Sequence, residues 1–303
     1  MKVLAIVGST ASGKTAVSVE LAKRIDGEII SADSRLIYRD FNIGTAKPTV
    51  EEMCSIPHYM IDIIPPETLY SAGDYKKDAT DAVEKIISKG KTPIVVGGTG
   101  FYVRSLLGGL NIPDVPADEN FRAEMDKFVE DYGRQALYNK LASIDKTTAD
   151  KLHYNDNVRV TRALEIFHAT GKTMSEISSM SKPPYEVFYA GLNARERSYL
   201  YDRANRRVDK MIESGLVEEV QNLVQKYGRT LPILKTLGYK EICEYFDGKI
   251  SLDEAVELIK KHTRNYAKRQ LTWFRANAEI HWYYIDEMSQ EEIVEKIIRE
   301  YNV

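Results

Sequence analysis

An α/β fold, a parallel sheet flanked by helices with an all-helical insertion, follows from three features of the sequence. Short apolar runs suited to buried strands alternate with helix-period segments between residues 3 and 110. The first run ends in a glycine-lysine loop, "GSTASGKT" (8–15), that opens the next helix. From 118 to 180 only helical patterns occur, and strand-like sequence returns at "VFYAGL" (187–192).

Each element follows from its own signals. "VLAIVG" (3–8) is apolar, short and glycine-terminated, as a buried parallel strand should be. A helix starts at Lys14–Thr15 and runs through "AVSVELAKRI" (16–25). "GEIISAD" is a second strand ending at Asp33, and "HYMIDI" (58–63) is a weaker strand before the turn "PPE". Ser71 and Asp74 form a reciprocal start signal for a helix that Gly90 stops. "TPIVVGG" (92–98) is another buried strand. "NIPDVPADEN" is a proline-punctuated connector, followed by helices in "ENFRAEMDKFVEDYG", "RQALYNKLASI" and "NVRVTRALEIFHATG". Beyond "VFYAGL", helices are predicted over 196–226, 239–246 and 252–277, the last capped by Ser251 with Glu254. "EIHWYYID" is a final strand, and Ser289 with Glu292 caps a terminal helix. The pattern predicts a P-loop NTPase-like core over 1–113 and 186–303, with a helical insertion over 114–185.

Composition narrows the function classes. The chain has 303 residues, 43% hydrophobic, enough for a substantial core. A net charge of −3 excludes a generally basic nucleic-acid coat, so any polyanion site must be a local patch. Cys54 and Cys243 are expected to be buried reduced thiols of a cytoplasmic protein; no C-x-x-C zinc spacing exists. The opening apolar run is too short for a signal peptide and no run spans a membrane, so no membrane partner is expected. The five histidines have no metal-ligand spacing.

"GSTASGKT" fits G-x-x-x-x-G-K-[ST]. Gly8 and Gly13 let the backbone of Ser9, Thr10, Ala11 and Ser12 wrap an anion, Lys14 adds a point charge, and the Thr15 hydroxyl can ligate Mg²⁺. The loop identifies a diphosphate cradle but not its carrier, because ATP, GTP and any organic diphosphate present the same group. Asp33 ends the second strand, where open α/β sheets bind ligands. It is a candidate catalytic carboxylate, a turn cap or a Mg²⁺ ligand. "GGTGFYVRSLLGGL" (97–110) is a second tight turn with Thr99 at its tip. Positive charge gathers in "KKHTRNYAKRQLTWFR" (260–275), where Arg264 and Lys268 share a helix face and Arg269 follows. Tyr266, Trp273 and Phe274, interleaved at helical spacing, are expected in the core.

These residues resemble one family, the tRNA dimethylallyltransferases (tRNA isopentenyltransferases). "GSTASGKT", "SADS…IYR…NIGTAKP", "VGGTGFYVRSLL", "NVRVTRALEI" and "YAKRQLTWFR" stand in that family's order and span residues 8–275. The sequence departs from many relatives at Ser9, where proline is common, and at Leu36, where glutamine is common and one adenine contact is therefore in question. It lacks the C-terminal zinc finger of some eukaryotic members, as a bacterial-type member would.

The resemblance implies transfer of a dimethylallyl group from dimethylallyl diphosphate to N6 of adenosine 37 in tRNAs reading U-initial codons, with Mg²⁺ assisting. The P-loop then holds the leaving diphosphate. Asp33 takes the amine proton, Thr10 and Thr99 hydrogen-bond the diphosphate, and Arg203 or Arg207 in "DRANRRVDKM" completes the clamp. RNA contacts are expected from Asp33, Ser34, Arg35, Leu36 and Thr99, and from Arg122, Val158, Arg159 and Arg162 of the insertion. Lys235, Lys240, Arg264, Lys268 and Arg269 should follow the phosphates of the anticodon stem-loop. A monomer is expected. A P-loop kinase would need a lid with catalytic arginines, and an enzyme for free adenine nucleotides would not need the basic 260–275 helix. A nucleotide switch would need a signature such as D-x-x-G, which is missing.

Overall fold

Six strands, all parallel, form one sheet in the order β3-β2-β4-β1-β5-β6. They are β1 (Lys2–Gly8), β2 (Gly27–Ser31), β3 (His58–Tyr59), β4 (Thr92–Gly97), β5 (Glu186–Asn193) and β6 (Ile280–Tyr284). The structure is a computed structural model, and it describes residues 2–177 and 181–302. β1 lies at the centre, paired with β4 from Leu4↔Ile94 to Val7↔Gly97 and with β5 as far as Gly8↔Leu192. Residues 3–8 of β1 are all buried, which is why its sequence is a continuous apolar run rather than an alternation.

Helices follow the strands as the patterns require. In the first part of the chain these are α1 (Lys14–Arg24), α2 (Val50–Met53), α3 (Ala72–Ser88) and α4 (Gly100–Leu107). The next segment contains α5 (Glu119–Tyr132), α6 (Arg134–Ile144), α7 (Lys146–Ala149), α8 (Asn157–Thr170) and α9 (Met174–Ile177). The last part adds α10 (Arg197–Glu213), α11 (Leu216–Tyr227), α12 (Tyr239–Phe246), α13 (Leu252–Arg275) and α14 (Gln290–Tyr301). Capping boxes start α3 at Ser71 with Asp74, α13 at Ser251 with Glu254, and α14 at Ser289 with Glu292. Each such cap stabilises its helix by about 1 kcal/mol.

Two expectations about local structure need correction. The helix expected over 196–226 is two helices, because Gly215 takes φ +95° and starts α11 as a new helix. The strand expected over 58–63 stops at Tyr59, because Met60 (φ +64°) and Asp62 (φ +55°) turn left-handed, and the Asp62 amide bonds Leu36 O instead.

The chain divides into two compact units. One comprises residues up to Leu106 and from Tyr185 onward; the other is Leu107–Pro184. In the first, Leu4, Ile6, Leu21, Ile94 and Leu192 pack with Ile293 and Ile297 of α14. A further cluster joins Phe41 and Tyr239 to the apolar faces of α11, α12 and α13. The second unit has its own core around Met125, Leu137, Leu141, Val160 and Leu164. Among the described residues no helix is long and apolar enough to cross a membrane.

Candidate active site

The site of the first unit forms where β1, β2 and β4 end and their loops turn. Gly8 adopts φ +146°, and a Cβ there would lie 2.4 Å from Leu192 O, so only glycine can begin the P-loop against β5. Gly13 (φ +88°) is the N-cap of α1, which has no side-chain cap and no acid in its first turn. The first-turn amides therefore stay available to an anion and the helix end is electropositive. Two loop amides are used internally: Thr10 N donates to Gln270 Oε1 at 2.8 Å, and Ser12 N to Ser9 O at 3.4 Å. The expectation that the backbone of Ser9, Thr10, Ala11 and Ser12 wraps an anion is narrowed accordingly. Lys14 Nζ donates to Gly8 O (3.1 Å) and Ser9 O (2.5 Å). Burial pulls its ammonium down to about 7; Arg207 pushes the same way and Asp33 opposes. Thr15 is exposed on the first turn of α1.

Arg203 and Arg207 are one helical turn apart on α10, so they present the same face. Arg203 Nε donates to Ala11 O at 2.7 Å, which fixes its guanidinium beside the loop. Arg207 donates to Thr45 O at 3.4 Å, and burial lowers its pKa with Asp33 opposing. Two arginines, Lys14 and an uncapped helix end thus converge on the loop.

Asp33 follows β2 directly. Its Oδ1 accepts from Arg35 N at 2.9 Å, so it is a turn cap, and the cap fixes where its carboxylate sits. Its charge acts on Lys14, Arg207 and Tyr266, which places it beside the phosphate loop. Thr99 locks the second glycine loop to this segment: its N–H donates to Ala32 O (3.1 Å), and its Oγ1 accepts from Ser34 N (3.1 Å). The Tyr266 phenol lies against this segment, and burial, with the charge of Asp33, raises its pKa. Arg35 donates to Leu237 O at 3.1 Å and lies 5.6 Å from the Tyr266 ring centre. Leu36 is half-buried.

Helix α13 closes this side. Lys268 and Arg269 are exposed, whereas Arg264 donates to Asn205 Oδ1 of α10 (2.7 Å) and Lys260 pairs with Asp209 (2.8 Å). Phe274 is buried as expected, but Trp273 is 43% exposed, because its ring lies over Gly100, where a Cβ would meet Cδ1 at 2.1 Å. Lys235 and Lys240 are exposed, the latter 3.6 Å from Glu244. Cys54 is exposed rather than buried, since it ends the short helix α2 in a left-handed turn; Cys243 is half-buried, and both thiols are free.

In the second unit, three arginines expected to meet RNA are tied to acids. Glu165, buried, accepts from Arg122 Nε (2.9 Å), Arg162 Nη1 (2.5 Å) and Asp118 N (2.8 Å). Burial raises its carboxyl, but Arg162, the Asp118 amide and Arg122 outweigh this and hold it below the usual range. Arg159 pairs with Asp156 yet remains 70% exposed, and Val158 is 81% exposed.

A family model described as IPP transferase matches residues 36–277. The chain belongs to the IPP transferase family. It is 46% identical over 306 residues to the tRNA dimethylallyltransferase of Thermoanaerobacter sp. (strain X514), covering 99% of this chain and 97% of the relative. It is 45% identical over 304 residues to that of Halalkalibacterium halodurans, covering 99% and 96%. Among solved structures it is similar to the full-length tRNA isopentenylpyrophosphate transferase of Bacillus halodurans, with TM-score 0.74, 43% identity, and 99% and 96% coverage. It is also similar to a eukaryotic dimethylallyltransferase described as acting on tRNA, with TM-score 0.83, 28% identity, and 98% and 77% coverage.

Glu219 and Gln270 of this IPP transferase family member were not singled out from its sequence, and Tyr266 is expected there only as a core residue. Glu219 accepts the amides of Asn42 (3.0 Å), Ile43 (2.7 Å) and Gly44 (3.0 Å), and so anchors the "IGTAKP" loop from α11. Tyr266 packs among Asp33, Arg35 and Thr99. Gln270 is buried and bonds both glycine loops. Its signal was present: it shares a buried helical register with Ala267, Leu271 and Phe274, where an unpaired amide would be unfavourable.

Proposed function

We propose that this chain transfers the dimethylallyl group from dimethylallyl diphosphate to N6 of adenosine 37 in tRNAs reading U-initial codons, releasing diphosphate. One observation carries the reading: the carboxylate of Asp33, fixed by its turn at the end of β2, lies close enough to Lys14 and Arg207 for its charge to act on both. A base and an anion cradle in one crevice suit a reaction that removes a proton from an amine while a diphosphate departs.

Adenine N6 is a weak nucleophile because its lone pair is delocalised into the ring. A carboxylate hydrogen-bonded to the amino group takes its proton as the C–N bond forms, and we assign that role to Asp33. The electrophilic carbon is allylic, so its partial positive charge is spread by resonance. The barrier then lies largely in charge building on the diphosphate. Lys14, Arg203, Arg207 and the first-turn amides of α1 stabilise that charge, with the Thr10 and Thr99 hydroxyls completing the cradle. Mg²⁺ fits a site of this kind. No cluster of three or more His, Cys, Asp or Glu forms a protein cage among the described residues, while Thr15 offers an exposed hydroxyl at the helix start. Magnesium characteristically uses few protein ligands together with phosphate oxygens and water, and here it would supply further neutralisation of the diphosphate.

An anticodon-loop base reaches the crevice only by leaving its stack, so the RNA must be gripped beside it. Arg35 and exposed Lys268, Arg269, Lys235 and Lys240 on the first unit support this. We read the working unit as a cytoplasmic monomer.

The test supplies unmodified tRNA with either dimethylallyl diphosphate labelled in its prenyl group or ATP labelled at the γ-phosphate. Prenyl label entering tRNA, with no consumption of ATP, supports the reading. Hydrolysis or transfer from ATP alone overturns it.

A further inference from the structure

Beyond the ends of β1 and β4 the two glycine loops have no strand pairing; the ladder stops at Val7↔Gly97. One side chain continues it. Gln270 Oε1 accepts from Thr10 N at 2.8 Å, and Gln270 Nε2 donates to Gly98 O at 2.9 Å. The residue is only 6% exposed. A Cβ on Gly98 would lie 2.2 Å from Gln270 Nε2 and 3.4 Å from Gly8 O, so the three pieces are in close contact.

At neutral pH, where the side chains of Asp and Glu are ionised and only accept, a primary amide is the side chain that offers one acceptor and one donor side by side while uncharged. The partners fix its orientation, because the flipped amide would set N–H against N–H and oxygen against oxygen. Asparagine is one methylene shorter and cannot reach both loops from the same helix position. The two residues placed by these bonds are Thr10 itself and Thr99, which directly follows Gly98.

We propose that Gln270 is a positioning residue: a side-chain rung between the two glycine loops that sets the separation of the two threonines flanking the diphosphate. It touches neither substrate and acts through Thr10 and Thr99. It also ties their geometry to α13, whose neighbouring Lys268 and Arg269 face solvent. The inference rests on the prenyl-transfer reading for its kinetic consequence, but the rung itself is testable without turnover.

Gln270→Glu keeps the shape and the bond to Thr10, but sets a carboxylate oxygen against Gly98 O. Gln270→Met keeps the approximate volume and loses both bonds. At pH 8 both should lower kcat about 10- to 100-fold, the range expected when buried polar groups lose their partners. KM for tRNA should stay within about threefold, since no RNA contact is removed. As pH falls, the introduced carboxyl of Gln270→Glu takes up a proton, and its O–H donates to Gly98 O in place of the amide. Its kcat relative to wild type should then climb toward unity, while that of Gln270→Met stays low and flat.

Amide hydrogen exchange reads the rung independently of activity. Exchange at Thr10 should be at least about tenfold faster in Gln270→Met than in wild type if this bond protects it. Unchanged exchange at Thr10, wild-type kcat in both variants, or a Gln270→Glu defect independent of pH or confined to KM for tRNA would each overturn the proposal. Failure of the wild-type protein to transfer prenyl label would instead remove the functional reading and leave the exchange result to decide the rung.

Discussion

Lys14 should take up a proton when a diphosphate binds. Its ammonium is buried, and burial, reinforced by Arg207 and opposed by Asp33, pulls it down to about 7. Its unfolded value is 10.5, so the sign is clear. Below pH 7 the folded chain bears the full penalty of a desolvated charge, and the penalty fades as pH rises from 7 toward 10.5. Lys14→Met should therefore stabilise the unliganded protein most at pH 6, with an advantage that shrinks at pH 9. A diphosphate adds opposite charge that Asp33 alone does not match, which restores the protonated state. With a free-state value of 7, binding at pH 8 should take up about 0.9 proton, and affinity should weaken about tenfold per pH unit above 7. Calorimetric titration with dimethylallyl diphosphate in two buffers of different ionisation enthalpy measures this uptake directly. Lys14→Arg, which stays charged, is the control and should show almost none. Uptake below about 0.2 proton in wild type at pH 8, or equal uptake in Lys14→Arg, would refute the reasoning.

Two further outcomes follow from charge. Lys268→Ala should weaken tRNA binding uniformly across sequences and reduce the slope of log K against log salt by about 1, without altering affinity for the small diphosphate; an unchanged slope would show that this part of α13 does not meet phosphates. Glu165→Gln should destabilise the second unit by about 2–3 kcal/mol, at the low end for a broken buried pair because Arg122 is 39% exposed. Since the Glu165 carboxyl is held below its usual range, its contribution is present above pH 4.5 and is lost as pH falls further; acid unfolding of wild type and Glu165→Gln should converge there.

Much of the core was readable because its signals are local. A continuous apolar run as short as "VLAIVG", ended by glycine, suits a strand buried on both faces, and each predicted capping box depends on residues three apart. The P-loop is legible for the same reason: Gly8, Gly13, Lys14 and Thr15 are adjacent in sequence, and their conformation follows from their types. The errors arise where backbone conformation overrides pattern, as at Gly215 and at Met60 and Asp62. The supports of the site are illegible for a different reason. Glu219 reaches Gly44 across 175 residues and Gln270 reaches Thr10 across 260. No spacing rule encodes such pairings; only a polar residue in an apolar register hints at one. The arginines of the insertion show the converse limit, because "NVRVTRALE" displays Arg162 but not the buried Glu165 contact that turns its guanidinium inward.

The account depends most on Asp33 accepting the proton of an adenine amine beside the anion held by the P-loop. Single-turnover transfer by Asp33→Ala, with the dissociation constant for tRNA measured in parallel, addresses it most directly. The account predicts a rate reduced about 10²- to 10⁴-fold, the range for loss of a general base, with tRNA affinity nearly unchanged. A variant that transfers at close to the wild-type rate, or that loses rate only in proportion to lost tRNA binding, would contradict it.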